Sequence, residues 1–317
     1  MMTASLPVTP AAPALGLWQR LGVALYRRPG LQLGLLLGLP LLWFLVVYIG
    51  SLATLLAQSF FTFDDFTMEV SRELTLANYR QLLQPANFDV VLRTLLMASA
   101  VSLASAVLAF PLAYYMVRYA RGWKKGFFYV AVMLPMWASY IVKVYAWTVL
   151  LAKDGMVYWA YQHLGLGGVM DWLMTLPLLG GNSLTTSHLG RFAVFTYIWL
   201  PFMILPVQAA LERVPANLLQ ASSDLGANGA QTFRHVILPL AFPGVVAGSI
   251  FTFSLTLGDY IIPQIIGPSG LFIGSMVYTM QGSIGNMPLA AAFTVVPVVI
   301  IALYLTGARK LGAFDAL

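Results

Sequence analysis

Apolar residues run along this chain in long blocks, separated by shorter polar and charged stretches. A helix needs about 20 mostly apolar residues to cross the hydrocarbon core of a bilayer. Six blocks reach that length: 31–57, 91–117, 127–152, 192–211, 244–266 and 288–308. The first carries no charged residue, the third contains Lys143 and the fifth contains Asp259. The pattern predicts an all-α membrane protein with six transmembrane helices. It divides into an N-terminal segment (1–30), a first span (31–57), a loop (58–90), a five-helix core (91–308) with an internal loop at 212–243, and a tail (309–317).

Basic residues orient the spans, because the segments on the cytoplasmic side collect Lys and Arg. With both termini inside, the inner segments hold Arg20, Arg27, Arg28, Arg118, Arg121, Lys124, Lys125, Arg213, Arg234, Arg309 and Lys310. The outer loops hold Arg72, Arg80 and Lys153, with Arg93 and Arg191 at outer span ends. The bias predicts cytoplasmic termini and a cytoplasmic loop at 212–243.

Composition agrees with the pattern. Of 317 residues, 60% are hydrophobic and only 9% charged, against about a quarter in soluble domains. The net charge of +6 reads as a topology signal, so the bilayer and not nucleic acid is the expected partner. There are no cysteines, which excludes disulfides and thiolate-held metals. Pro7, Pro10 and Pro13 make a loose start, and 15–25 reads as a short surface helix and not as a cleaved leader.

The loops at 58–89 and 153–190 are long for outer connections, and each is expected to hold a short helix near the outer surface. They serve as caps over the bundle or as a docking surface for a soluble partner. Pro40, Pro111, Pro135, Pro201, Pro206, Pro263 and Pro297 fall within spans, where each removes a backbone bond and bends the helix. Freed carbonyls are tolerated where neighbours or water satisfy them.

The stretch LLQASSDLGANGAQTFRHVILPLAFPG (218–244) is unusual for a connection between two spans. Pro215 can open a helix, and 216–225 supplies helix formers with Leu218, Leu219, Ser222 and Leu225 along one side. Gly226 can provide a left-handed cap, and Asn228-Gly229 a second turn. A second short helix over 230–237 ends at Pro239, and Pro243 opens the fifth span. Two short helices at an angle would leave apolar side chains outside the bilayer. Either a protein partner covers them or they pack on the ends of their own spans.

This stretch resembles the EAA loop of permease subunits of type I ATP-binding-cassette importers. The family pattern is Glu-Ala-Ala, three residues, Gly, nine residues, Ile, one residue, Leu-Pro. Here it is Gln220-Ala221-Ser222, Gly226, Val236 and Leu238-Pro239, with each spacing kept. Gln220 retains hydrogen bonding but loses the charge of the family glutamate. Leu218, Asp224 and Ala227 complete the matching stretch. MLPMWASYIVKVYAWTVLLAKDG (133–155) and FSLTLGDYIIPQIIGPSG (253–270) resemble the spermidine/putrescine branch of these permeases. The resemblance covers about 31–308. It implies a heterodimeric pore with a second permease, a cytoplasmic ATPase dimer and an external binding protein. It also implies alternating access driven by ATP that the partner consumes. The chain itself has no phosphate-binding loop, so no cofactor and no enzymatic activity are expected of it.

Charges at membrane depth are costly and are functional candidates by default. Lys143 and Asp259 either pair with each other, with Arg93 or with a polar group, or help line the pathway. In the second case Asp259, Tyr260, Tyr145 and Trp147 would offer a cationic amine both charge and aromatic faces. His163, His188 and His235 are widely spaced and make no metal site. Uptake of 4-aminobutyrate, opines or another small amine or amino acid is the alternative, and an ion-coupled secondary transporter a weaker one. An intramembrane aspartyl protease is excluded, since no second carboxylate lies in any span.

Overall fold

The computed structural model describes Gly16, Gly22 and residues 26–310 apart from 178. The surface helix expected over 15–25 falls almost wholly outside these residues. The chain divides into two compact units, 1–57 and 58–317.

One apolar helix, α1, makes up most of the described part of the first unit and ends on the first residue of the second: it runs from Pro29 to Trp43, through a π-helical turn at Phe44–Ile49, and on through Gly50–Gln58. Pro29 stands in its first turn, where a missing N–H costs nothing.

The second unit opens with a β-hairpin, so the expectation of an all-α chain needs correcting. β1 (Thr62–Asp64) pairs antiparallel with β2 (Glu69–Ser71), with Phe63 opposite Val70. The Asp64 carboxylate accepts from the backbone N–H of Phe66 at 2.8 Å, which closes the turn. Asn78 of α2 (Ala77–Leu82) donates to the carbonyls of Ser59 and Phe61 and fastens the hairpin's base.

α3 (Pro85–Arg118) is longer than the expected second span because Pro85 starts the helix inside the stretch read as loop. The expected third span is not one helix. α4 (Trp123–Trp137) and α5 (Tyr140–Leu150) meet at a bend of 98°. Ala138 and Ser139 are extended there (ψ 142° and 131°), three residues after Pro135. α6 (Met156–His163) and α7 (Gly167–Thr175) stand in the next connection, two short helices where one was expected.

α8 (His188–Glu212) carries Pro201 and Pro206 and is followed by the short α9 (Ala216–Asp224). The next helix corrects two expectations. α10 runs without a stop from Gly229 through Pro239 and Pro243 to Gly258. A proline ring presses on the carbonyl four residues back. Here the backbone widens to a π-helical turn over Phe233–Ile237, directly before Pro239, and the helix continues. The expected fifth span (244–266) breaks at Asp259 (ψ 136°) and resumes as α11 (Ile261–Ile265). α12 (Ile273–Thr279), prolonged by a π-helical turn at Met280–Ile284, lies where no element was predicted, and α13 (Met287–Lys310) completes the fold. Among the described residues five helices are long and apolar enough to cross a membrane, and the number is six when the bent α4–α5 pair is taken as one span.

α3, α8 and α10 form the core. Lipid is as apolar as leucine, so helices associate in it through close packing of small residues. α10 supplies Gly244, Gly248, Thr252 and Thr256, spaced four apart and all buried. A β-carbon at Gly248 would lie 2.6 Å from Met203 Sδ, and one at Gly244 2.6 Å from the Pro206 carbonyl. α3 turns Ala98, Ser102, Ser105, Ala109 and Ala113 inward.

One end of the bundle is markedly basic. There Arg118 donates to the Val214 carbonyl at 3.2 Å, and Lys125 pairs with Glu212 at 3.3 Å. The Tyr129 hydroxyl also donates to Glu212, at 2.9 Å. These contacts gather the end of α3, the start of α4 and the end of α8 beside α9.

Candidate functional site

At the basic end, Pro215 is extended and stands just before α9, one position earlier than expected. The helix closes with the Ala227 N–H donating to the Ser222 carbonyl and that of Gly226 to Ser223. Gly226 takes φ 79°, where a side chain is strained, yet nothing lies within 4 Å of where its β-carbon would be. Asn228 then caps α10 reciprocally with Gln231, at 2.9 Å in each direction.

The expected apolar side of α9 divides in two. Leu219 packs into the core cluster with Leu211 and Ile237, and Ser222 bonds Thr232 at 2.9 Å across the turn. Leu218, Ala221 and Leu225 face outward with Gln220 and Asp224, and Leu225 is 88% exposed. Val236 is half-buried and Ala227 partly so, while Leu238 and Pro239 stand on the outer face of α10. Phe233 meets Phe110 of α3 edge-on at 5.4 Å. α9 is thus braced from behind and bare in front.

The second cluster lies where the two broken spans meet. Asp259 is 9% exposed. Its Oδ1 accepts from the backbone N–H of Ile261 at 2.8 Å, which starts α11, and its Oδ2 accepts from the Tyr140 hydroxyl at the first residue of α5. Tyr140 stacks on Trp199 at 5.6 Å, and Tyr260 on Tyr278 at 4.9 Å. Tyr140, Trp199, Asp259 and Tyr260 line a shallow depression of about 300 Å³.

Asp259 pairs with neither Lys143 nor Arg93, and Lys143 bonds a polar group instead. Its ammonium donates to the Pro135 carbonyl at 2.8 Å, across the α4–α5 bend. That carbonyl belongs to the last turn of α4, which has no helical donor beyond the break. Arg93 pairs with Asp89. Of the aromatic residues singled out in the sequence, only Tyr260 reaches the depression. Trp147 packs edge-on to Tyr197 at 5.0 Å, and Tyr145 is exposed. Tyr140 and Trp199 were missed. They come from two different spans, and only the bend at Ala138–Ser139 delivers Tyr140 to Asp259.

Arg191, read as a charge at a span end, is fully buried. Its Nε donates to the Ile266 carbonyl at 2.7 Å, and its Nη2 to Pro268 at 2.8 Å and Pro263 at 3.2 Å. The guanidinium lies over the Phe272 ring at 4.6 Å. Gly267 takes φ 102° beside it, and a side chain there would meet Nη2 at 2.6 Å. One arginine therefore fixes the whole connection from α11 to α12.

A family model described as binding-protein-dependent transport system inner membrane component matches residues 103–310. The chain belongs to that family. It is 66% identical over 309 residues to the inner membrane ABC transporter permease protein YdcU of Escherichia coli K12, covering 98% of both chains. It is 28% identical over 252 residues to the spermidine/putrescine transport system permease protein PotB of the same organism, covering 79% of this chain and 87% of that one. Among solved structures it is similar in fold to a chain of a bacterial ABC transporter that imports the acidic polysaccharide alginate. The TM-score is 0.62 at 18% identity, with 92% of this chain and 99% of that one covered. The chain is an ABC importer permease subunit, a multi-pass protein of the inner membrane. In this family member the expected EAA-type residues form α9, its glycine turn and the start of α10.

Proposed function

We propose that this permease subunit carries a small organic amine of the polyamine class inward across the membrane, driven by a separate cytoplasmic ATPase dimer. The bare outer face of α9 carries the coupling half of this reading. Leu218, Ala221 and Leu225 lie open on a helix that Leu219, Ser222 and the Gly226 turn hold against the core. A push on that face is passed to α8 and α10 as to one body. Gln220 contributes hydrogen bonds to the ATPase groove without a charge. The basic end beside α9 supports cytoplasmic placement of that end and of both termini. A second permease subunit completes the pore, and an external binding protein delivers the amine. The distant likeness to PotB, whose name specifies spermidine and putrescine, supports the substrate class. ATP is consumed by the partner and not by this chain.

The test is putrescine uptake by cells that lack their own polyamine importers and express this subunit with its partner genes. We expect ATP-dependent uptake, lost in Gly226→Val while the protein stays in the membrane. Normal uptake by that variant removes the coupling role. Absence of uptake by the unaltered system removes the polyamine reading, and 4-aminobutyrate and related amines then become the substrates to try.

A further inference from the structure

The breaks in the third and fifth spans meet at a buried carboxylate that has no cationic partner. Asp259 is 9% exposed, yet among the described residues neither of the ion pairs involves it. The ammonium of Lys143, on the same helix as Tyr140, is committed to the Pro135 carbonyl. A buried carboxylate is costly unless it is paired or fully hydrogen-bonded. Asp259 meets that demand with neutral donors only, the Tyr140 hydroxyl on Oδ2 and backbone N–H groups on Oδ1.

These donors differ in how easily they can be exchanged. The N–H groups of Ile261 and Ile262 belong to the first turn of α11, so Oδ1 is held as long as that helix exists. The Tyr140 hydroxyl is a single rotatable donor. Its ring is kept in place by the stack on Trp199, whether or not the hydroxyl is engaged. Asp259 also lines a depression of about 300 Å³, together with Ser254, Leu255, Tyr260, Trp199 and Tyr140. Asp259 is the only charged residue of that lining. A carboxylate rimmed by aromatic faces attracts an organic cation through both charge and ring quadrupoles.

We propose that Asp259 is a primary-ammonium site in which the cation replaces Tyr140 on Oδ2. This deepens the amine-import reading and rests on it for the identity of the cargo. No proton changes hands: the ammonium keeps its three hydrogens, Tyr140 stays a neutral phenol, and its hydroxyl turns to another acceptor. Because Tyr140 begins α5 and Asp259 precedes α11, the exchange also removes the hydrogen bond that joins the two broken spans at this point, leaving their apolar packing to hold them. Loading the site and releasing that bond then become one event.

The test uses the assembled transporter and the absence of native cysteine in this chain. Ser254→Cys places a thiol in the lining at little cost in shape. An acidic cleft raises the local concentration of cations, so a cationic methanethiosulfonate reagent should react about tenfold or more faster there than an anionic one. That preference should vanish when Asp259→Asn is added. Equal rates for the two reagents, or a preference that survives Asp259→Asn, would overturn the site.

Uptake then separates exchange from simple bracing. Asp259→Asn should weaken putrescine uptake by about tenfold or more. Tyr140→Phe, which removes the competing donor and keeps the stack, should lower the half-saturating amine concentration. If Tyr140→Phe loses uptake in step with Asp259→Asn, the bond is a brace and the exchange is refuted. If the reagent preference holds while putrescine is not transported, the cation site stands and the polyamine reading falls.

Discussion

Two arginines and a lysine show how single residues hold irregular backbone inside an apolar bundle. Unsatisfied carbonyls cost several kcal/mol each where water is scarce, so a broken helix needs a donor from elsewhere. Arg191 supplies donors to three carbonyls between α11 and α12, Lys143 to one at the α4–α5 bend, and Arg118 to Val214 beside α9. Replacing Arg191 by Met leaves three carbonyls bare around a buried site. We expect a loss of about 3–5 kcal/mol, read as a sharply lower melting temperature of the purified complex. Arg191→Lys keeps the charge but not the planar fork, and should recover only part of that loss. A variant as stable as the parent would refute the clamp. The sequence marked Lys143 and Asp259 as unusual because charges in apolar blocks stand out. Arg191 did not stand out, since it lies near the start of its block, and burial is a property of the folded neighbours.

At the scale of elements, glycine acts in two different ways. Gly226 needs its conformation and no space, whereas Gly244 and Gly248 need space and no special conformation. A β-branched residue at Gly226 strains only the local backbone, by about 1–2 kcal/mol. Asn tolerates the left-handed region, so Gly226→Asn should retain much of the uptake that Gly226→Val loses. Equal failure of both variants would point to contact with a partner and away from backbone angle. Gly248→Leu, by contrast, drives a side chain into Met203 and should separate α10 from α8. Its expected cost is about 1–3 kcal/mol or more, seen as reduced protein in the membrane. The helices themselves were legible from apolar length, but their breaks were not. Pro239 looked like a stop and Pro243 like a new start, and one helix passes through both, with a π-helical turn before Pro239 that relieves the ring. Pro135 looked like a bend, and the chain breaks outright three residues later. A proline states that a bond is missing, while the neighbours determine whether the helix bends, widens or ends.

For the molecule as a whole, the basic end and α9 predict sidedness. In a chain without native cysteine, Leu225→Cys should react with an impermeant thiol reagent only from the cytoplasmic face, and only before the ATPase is bound. Trp159→Cys, on α6 and 60% exposed, should react from the opposite face. Labelling of both from one side would overturn the proposed orientation.

The sequence by itself determined the membrane class, the apolar blocks long enough to cross and the short helix with its glycine turn beside the basic end. These follow from local quantities: apolar length, charge bias and turn chemistry. Tertiary structure alone decided that the third and fifth spans are broken, that Tyr140 and not Tyr145 or Trp147 faces Asp259, and that Arg191 is a buried clamp. Those features depend on which carbonyls lose their helical donors and which side chains can reach them. That geometry exists only once α3, α8 and α10 have packed.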